Sequence, residues 1–153
     1  MSTLELKLPP LLLAGIVAAL MGLVAWALPG LAFALPARAF TALGLAAAGA
    51  AIALLGVRAF ARARTTVDPR VPHKSSSLVR GGVYRISRNP MYLGIALLLG
   101  AWALWLAHAP ALLGVPAFVL YMNRFQIDAE ERLLQRKFGA DFERYRAQVR
   151  RWL

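Results

Sequence analysis

NPMYLGIALLLGAWALWLAHAPALLGVPAFVLYMN, residues 89–123, runs 35 positions without a charged side chain. As one helix it would be about 52 Å long, against roughly 30 Å of bilayer hydrocarbon. His108-Ala109-Pro110 falls near its middle. The stretch therefore reads as a helical hairpin, with one span over residues 91–107 and a second over 111–123. The second span is short, so its helix is expected to continue past Asn123 into the interface. Pro90 stands at the start of the hairpin, in the first helical turn, where its missing N–H costs nothing.

Two more uncharged stretches precede the hairpin. Residues 8–28 and 39–57 are rich in Leu, Ala and Val, and Pro29, Gly30 and Pro36 punctuate the gap between them. Each is close to the length of about 20 residues that a membrane helix needs. The expected fold is thus all-α: an integral membrane protein of four transmembrane helices in a single domain, 1–153. A loop over 58–90 and amphipathic helices over 124–153 complete it. The 153 residues are 59% hydrophobic and 16% charged, which leaves too little polar surface for an ordinary soluble enzyme.

Charge sets the orientation. The chain carries 18 Lys+Arg against 7 Asp+Glu. Eight of the basic residues lie between Arg58 and Arg88 and eight between Arg124 and Arg151. Basic loops stay in the cytoplasm, so both termini are expected inside, in a bacterial inner membrane. That placement, beside long apolar stretches, argues for a membrane surface and against nucleic acid as the partner. Ala32-Phe33-Ala34 has the form of a signal-peptide cleavage site. The apolar run before it is longer than the usual 7–15 residues and lacks a positive cluster, so the first span is expected to be retained.

Gly44, Gly49, Gly56 and the alanines among them fill the second span with small residues. Small residues let membrane helices approach closely. They could make a dimer seam, but packing within the chain is the favoured reading, and the oligomeric state stays open. Past Asn123, Arg124–Asp128 and Asp128–Arg132 are i,i+4 pairs that support a helix. Gly139 reads as its left-handed cap. Phe142, Tyr145, Val149 and Trp152 form one apolar face of a final helix over 141–153, with Arg144, Arg146, Arg150 and Arg151 on the rest. Such a helix suits an anionic leaflet, or packs its aromatic face on the protein.

No dinucleotide, hydrolase or phosphate-loop motif is present, and cysteine is absent. His73 and His108 fall on opposite expected sides of the membrane, so no metal site is expected. Two segments stand out. One is the basic, glycine-containing approach to Pro90, SSSLVRGGVYRISRNPMYLG from Ser75 to Gly94. The other is Glu130-Glu131, with Asn123, Gln126 and Glu130 on one helical face. Each alone has a plain structural reading, a juxtamembrane helix start and a salt-bridged surface helix.

Together they carry a pattern, G-V-Y-R-x-x-R-N-P-M-Y-L-G followed by E-E-R-x-L-x-x-x-F-G-x-x-F-x-x-Y-x-x-x-V. It resembles the isoprenylcysteine carboxyl methyltransferase and phospholipid methyltransferase superfamily over about half of the chain. The resemblance implies a membrane enzyme that uses S-adenosyl-L-methionine in a cytosolic pocket built by the carboxyl-terminal half. By position it implies cofactor contacts at Ser76, Leu78, Val79, Tyr84, Arg88, Asn89, Pro90, Met91, Tyr92, Glu130 and Glu131. Ser76 and Asn89 stand where the isoprenylcysteine enzymes have His. Asn can hydrogen-bond but cannot titrate near neutrality, which speaks against prenylcysteine as the acceptor. Arg124 lies near the family's substrate-contacting arginine, with Gln126 at the closer match. No catalytic base is assigned. The implied acceptor is a lipophilic amine, carboxylate or thiol entering from the bilayer. The competing readings are a small transporter and a non-catalytic membrane scaffold that binds lipid through its basic terminal helix.

Overall fold

A computed structural model describes residues 5–63 and 78–153. Six α-helices among the described residues carry the architecture: α1 (Pro10–Ala27), α2 (Arg38–Arg62), α3 (Pro90–Leu106), α4 (Gly114–Tyr121), α5 (Asp128–Phe138) and α6 (Ala140–Gln148). Among the described residues there is no strand, only one isolated bridge between Ala32 and His108. The all-helical class read from the sequence holds.

Two of the four expected spans are helices long and apolar enough to cross a membrane, α1 and α2. α2 also overruns its apolar stretch, staying helical through Arg58 to Arg62, so the expected loop over 58–90 begins inside a helix. α3 is apolar but only 17 residues long, about 26 Å. Proline opens it at Pro90, and Ala107 ends it in the left-handed conformation, φ 48°. The fourth path is not one helix. It runs through a 3-10 turn (Pro110–Leu113), α4, and a π-helical segment (Met122–Ile127) before α5. Pro116 cannot donate to the Leu112 carbonyl four residues back, which accounts for the tighter geometry at its start. The expected continuation past Asn123 is there, carried by the π segment.

The helix ends sort to two ends of the bundle. At one, Leu31, Phe33, Ala107 and Ala109 exchange backbone hydrogen bonds, Phe33 N–H to Ala107 O at 2.8 Å. His108 is buried there and its Nε2 donates to Leu28 O at 2.8 Å, a structural role. At the other end, Leu6 N–H donates to Phe125 O at 3.2 Å, and the carboxyl-terminal half of α2 meets the start of α3. A Cβ on Gly56 would stand 2.7 Å from Met91 Cγ.

Small residues of the second span do pack within the chain. A Cβ on Gly94 would lie 2.5 Å from Gly49 O and 2.8 Å from Ala53 N, so α2 and α3 touch backbone to backbone. Trp102 Nε1 ties α3 to α1 through Ala18 O at 3.0 Å. Phe118, Met122, Ile127, Leu99, Leu13 and Met21 fill the centre. The outward faces are apolar: Leu11, Trp26 and Phe40 are 75–80% exposed. A soluble monomer seldom shows an apolar surface so extended; in a bilayer the same faces are solvated by lipid.

The carboxyl-terminal region departs from expectation in three ways. Gly139 has a positive φ of 49° but ψ of −123°, so it turns the chain without being a left-handed helical cap. Asp128 pairs with Arg151 and Arg132 with Glu5, in place of the i,i+4 pairs. The final helix stops at Gln148, and Val149 is extended. Phe142 and Tyr145 are buried against the protein, so that aromatic face does not turn toward lipid.

Candidate functional site

Tyr92, Gln126 and Glu130 converge at the end of the bundle where the basic residues lie. Pro90 fixes the entry of α3 and turns Tyr92, one turn in, toward the interior, where it is 7% exposed. The π segment brings buried Gln126 round to the same side, and Glu130 follows in the first turn of α5. Widened π turns of this kind recur at functional sites. Glu130 Oε1 accepts from Tyr92 OH at 2.6 Å and from Gln126 Nε2 at 2.5 Å. Burial pushes the Glu130 carboxyl up to about 7, although those two donors pull it down. Oε2 takes no donor among the described residues, so the carboxylate keeps an open acceptor oxygen.

Tyr84 lies beside this group on the 3-10 turn Gly82–Arg85. Its ring meets Phe60 of α2 edge-on, centroids 5.5 Å apart, and its carbonyl accepts from Tyr145 OH at 2.8 Å. Burial raises both phenols well above their ordinary range, so both stay protonated, and the Tyr145 hydroxyl acts as a donor.

Glu131, one residue on, faces away from Tyr92 into a clamp. Its Oε1 accepts from Arg88 Nη2 at 2.8 Å and its Oε2 from Arg151 Nη2 at 2.6 Å. Burial alone would raise the Glu131 carboxyl, but the hydrogen bonds from Arg151 and Arg88 hold it below the usual range. Arg88 spends its remaining donors on the carbonyls of Val149 and Arg146. A buried carboxylate held by two guanidinia in this way is charge-assisted and directional.

Residues 149–153 form a strap that closes over the approach to Pro90. Arg88 N–H donates to Arg150 O at 3.0 Å. Ser87 Oγ and Asn89 Nδ2 both donate to Arg151 O, at 3.3 and 3.0 Å. Trp152 Nε1 donates to Asn123 Oδ1 at 3.0 Å. Asn89 precedes α3 but its side chain does not cap it; the strap has taken that amide.

Of the positions singled out by sequence, Tyr84, Tyr92 and Pro90 are buried, and Leu78, Val79, Met91, Asn89 and Glu130 are half-buried at the same end. Arg88 and Glu131 are bonded to each other. Arg124 is exposed and makes no ion pair among the described residues. Ser76 lies outside the described residues, as does His73. Ser87, Arg151 and Trp152 were not anticipated as parts of this network. Trp152 was visible only as the last member of an apolar face.

With this geometry in view, three comparisons bear on identity. A family model described as phospholipid methyltransferase matches residues 37–141. A protein of Haemophilus influenzae, described as uncharacterized, is 52% identical over 63 residues, which is 41% of this chain and 100% of that protein. No solved structure matches. The family match spans more than half of the chain and takes in both the α2–α3 seam and the Tyr92–Glu130 pair, so the chain belongs to the phospholipid methyltransferase family, a family of membrane methyltransferases.

Proposed function

We propose that the protein is an S-adenosyl-L-methionine-dependent methyltransferase of the bacterial inner membrane, acting on a lipophilic acceptor that enters from the bilayer. In this reading four spans cross the membrane, over 8–28, 39–57, 91–107 and 111–123, with both termini in the cytoplasm. The observation that carries it is the Tyr92–Glu130–Gln126 group. A carboxylate with one oxygen fixed by two donors and the other free is suited to accept from the hydroxyls of a sugar.

The residues at this end fit the cofactor. Glu130 Oε2 would accept from the ribose, and Leu78, Val79 and Met91 offer apolar flanks. Tyr84 and Tyr92 would wall the pocket, with Ser76, Asn89 and Pro90 at its mouth. Arg85 is exposed and makes no ion pair among the described residues, so it can meet the methionine carboxylate. Arg88 and Glu131 act by holding the strap and thereby the approach to Pro90. Arg124 is kept as a residue of the acceptor side.

When bound, the cofactor would supply a methyl group activated on a sulfonium, open to in-line displacement by the acceptor's nitrogen, oxygen or sulfur with a thioether as leaving group. The protein's part is to position the two partners and exclude water. This predicts transfer of a labelled methyl group to a lipid or hydrophobic thiol fraction by the purified protein, abolished in Glu130→Ala. Absence of labelled product from every acceptor class, by a folded protein that binds S-adenosylhomocysteine, would reduce the enzyme to a binding protein.

A further inference from the structure

A concave feature lies on the opposite face of α5 from Glu130. It is a cleft of about 370 Å³ between α5, α6 and the strap, at the small end of the roughly 300–1,000 Å³ range of ligand sites. Four arginines line it, Arg132, Arg136, Arg146 and Arg151, against two carboxylates, Asp128 and Glu131. Both carboxylates are already engaged by Arg151, at 2.9 and 2.6 Å, and Glu131 also by Arg88. Arg132 reaches out of the cleft to Glu5 at 2.8 Å. Arg136 and Arg146 make no ion pair among the described residues and face the cleft from different helices.

The back of the cleft and the backbone that carries Arg146 are held within the chain. Arg151 is held by Glu131 and Asp128, and the Arg146 carbonyl by Arg88 Nη1 at 3.3 Å. The cleft sits where α5 leaves the apolar bundle, at the end that also bears Arg58 and Arg62 of α2. Guanidinium pairs match the oxygens of phosphate in two-point contacts, and basic pockets at the cytoplasmic edge of a membrane take lipid head groups.

We propose that this cleft is a binding site for a phosphate group, held between Arg136 and Arg146 and backed by Arg151. The site is separate from the Tyr92–Glu130 pair and does not depend on methyl transfer. Its ligand is a phosphate borne by a membrane lipid or by a small soluble molecule.

The test uses the full chain with two probes. Phosphatidic acid retained from phosphatidylcholine nanodiscs is read by native mass spectrometry, and inorganic phosphate is titrated by calorimetry. Arg136→Gln/Arg146→Gln is compared with Arg58→Gln/Arg62→Gln, which removes the same charge at the same end of the bundle. About fivefold weaker binding is expected for each cleft arginine and about 25-fold for both, with the α2 pair near the parent value. The single variants carry the comparison if the double variant fails to fold. Lipid retention without phosphate affinity assigns the site to a head group, and phosphate affinity without lipid retention assigns it to a soluble phosphate. Equal losses in both double variants would mean general attraction to anions and overturn the proposal. So would binding that the cleft substitutions leave unchanged, or no binding of either probe.

Discussion

The seam between α2 and α3 is backbone against backbone, whereas the end that carries Tyr92 and Glu130 is side chain against side chain. At the seam, Gly49 and Gly94 face each other with no room for a Cβ, and a charged side chain enters only at the end away from Tyr92, where Arg38 of α2 lies over the Trp105 ring at 5.7 Å among the described residues. At the other end a doubly bonded carboxylate, a two-arginine clamp and a strap of five residues hold together segments far apart in sequence. In lipid, helices gain little from burying apolar surface, so close packing has to hold them. Where the chain leaves the bundle, charged hydrogen bonds take over and fix the geometry of a site. The two regions should therefore fail differently when altered.

The largest effect is expected at the seam. Gly94→Val would drive a Cβ into Gly49 O and Ala53 N, and no rearrangement of a side-chain tip relieves a clash with backbone. Size-exclusion chromatography in detergent should show no monodisperse protein. Gly44→Ala, on the same helix as Gly49 but with open space around it, should behave as the parent. A well-folded Gly94→Val protein would remove backbone contact as the basis of the seam.

Next comes the clamp. The Arg88 and Glu131 side chains are only 10% and 11% exposed, so Arg88→Ala leaves a buried carboxylate with Arg151 as its remaining cation. Losing the charged hydrogen bonds from Arg88 costs about 2–3 kcal/mol. Thermal unfolding should show that loss together with faster proteolysis of the strap. An unchanged melting curve would mean that the clamp does not hold the strap.

The adjacent glutamates should respond to pH with opposite sign. Glu130 titrates near 7 in the folded protein, against an ordinary value of 4.5. Between those values the native state holds more protons than the unfolded chain, so stability falls as pH rises through that window, by about 3 kcal/mol at most. Glu131 is held below its ordinary value, so its contribution is present near neutrality and is lost on acidification. Melting temperatures from pH 4 to 8 should lose the first slope in Glu130→Gln and the acid loss in Glu131→Gln. One slope shared by both variants would contradict the assignment. The smallest effect is expected for Trp152→Phe, which removes the indole bond to Asn123 but keeps an aromatic ring, at about 1 kcal/mol by the same melts.

The seam region was largely legible in the sequence because hydropathy and small-residue content act locally. Residues 8–28 and 39–57 could hardly fold otherwise. The fourth path was read as a span but not as a broken one, since the effect of Pro116 on its own turn does not show in composition. The strap was not legible. Phe142, Tyr145, Val149 and Trp152 have the spacing of one helical face, and partners far back in sequence, Arg88 and Asn89 on the strap carbonyls and Asn123 on Trp152, draw its end out of the helix. Asp128 had two arginines at helical spacing, yet the more enclosed Arg151 took it. The segments that hold Tyr92 and Glu130 stood out in the sequence and the family pattern gave them a cofactor role, but their pairing across 38 residues was beyond any local reading. Gln126 was placed beside Glu130 by helical spacing, and its amide does meet that carboxylate.

The most direct test of the polar end as a cofactor site is calorimetric titration of the detergent-solubilised protein with S-adenosylhomocysteine, run beside Glu130→Ala, Tyr92→Phe and Gly44→Ala. Micromolar binding is expected for the parent and for Gly44→Ala. Glu130→Ala should lose it, and Tyr92→Phe, which leaves the carboxylate with one donor fewer, should weaken it about tenfold. A folded, helical parent that takes up no S-adenosylhomocysteine, or a Glu130→Ala protein that binds as the parent does, would contradict a cofactor site at this end.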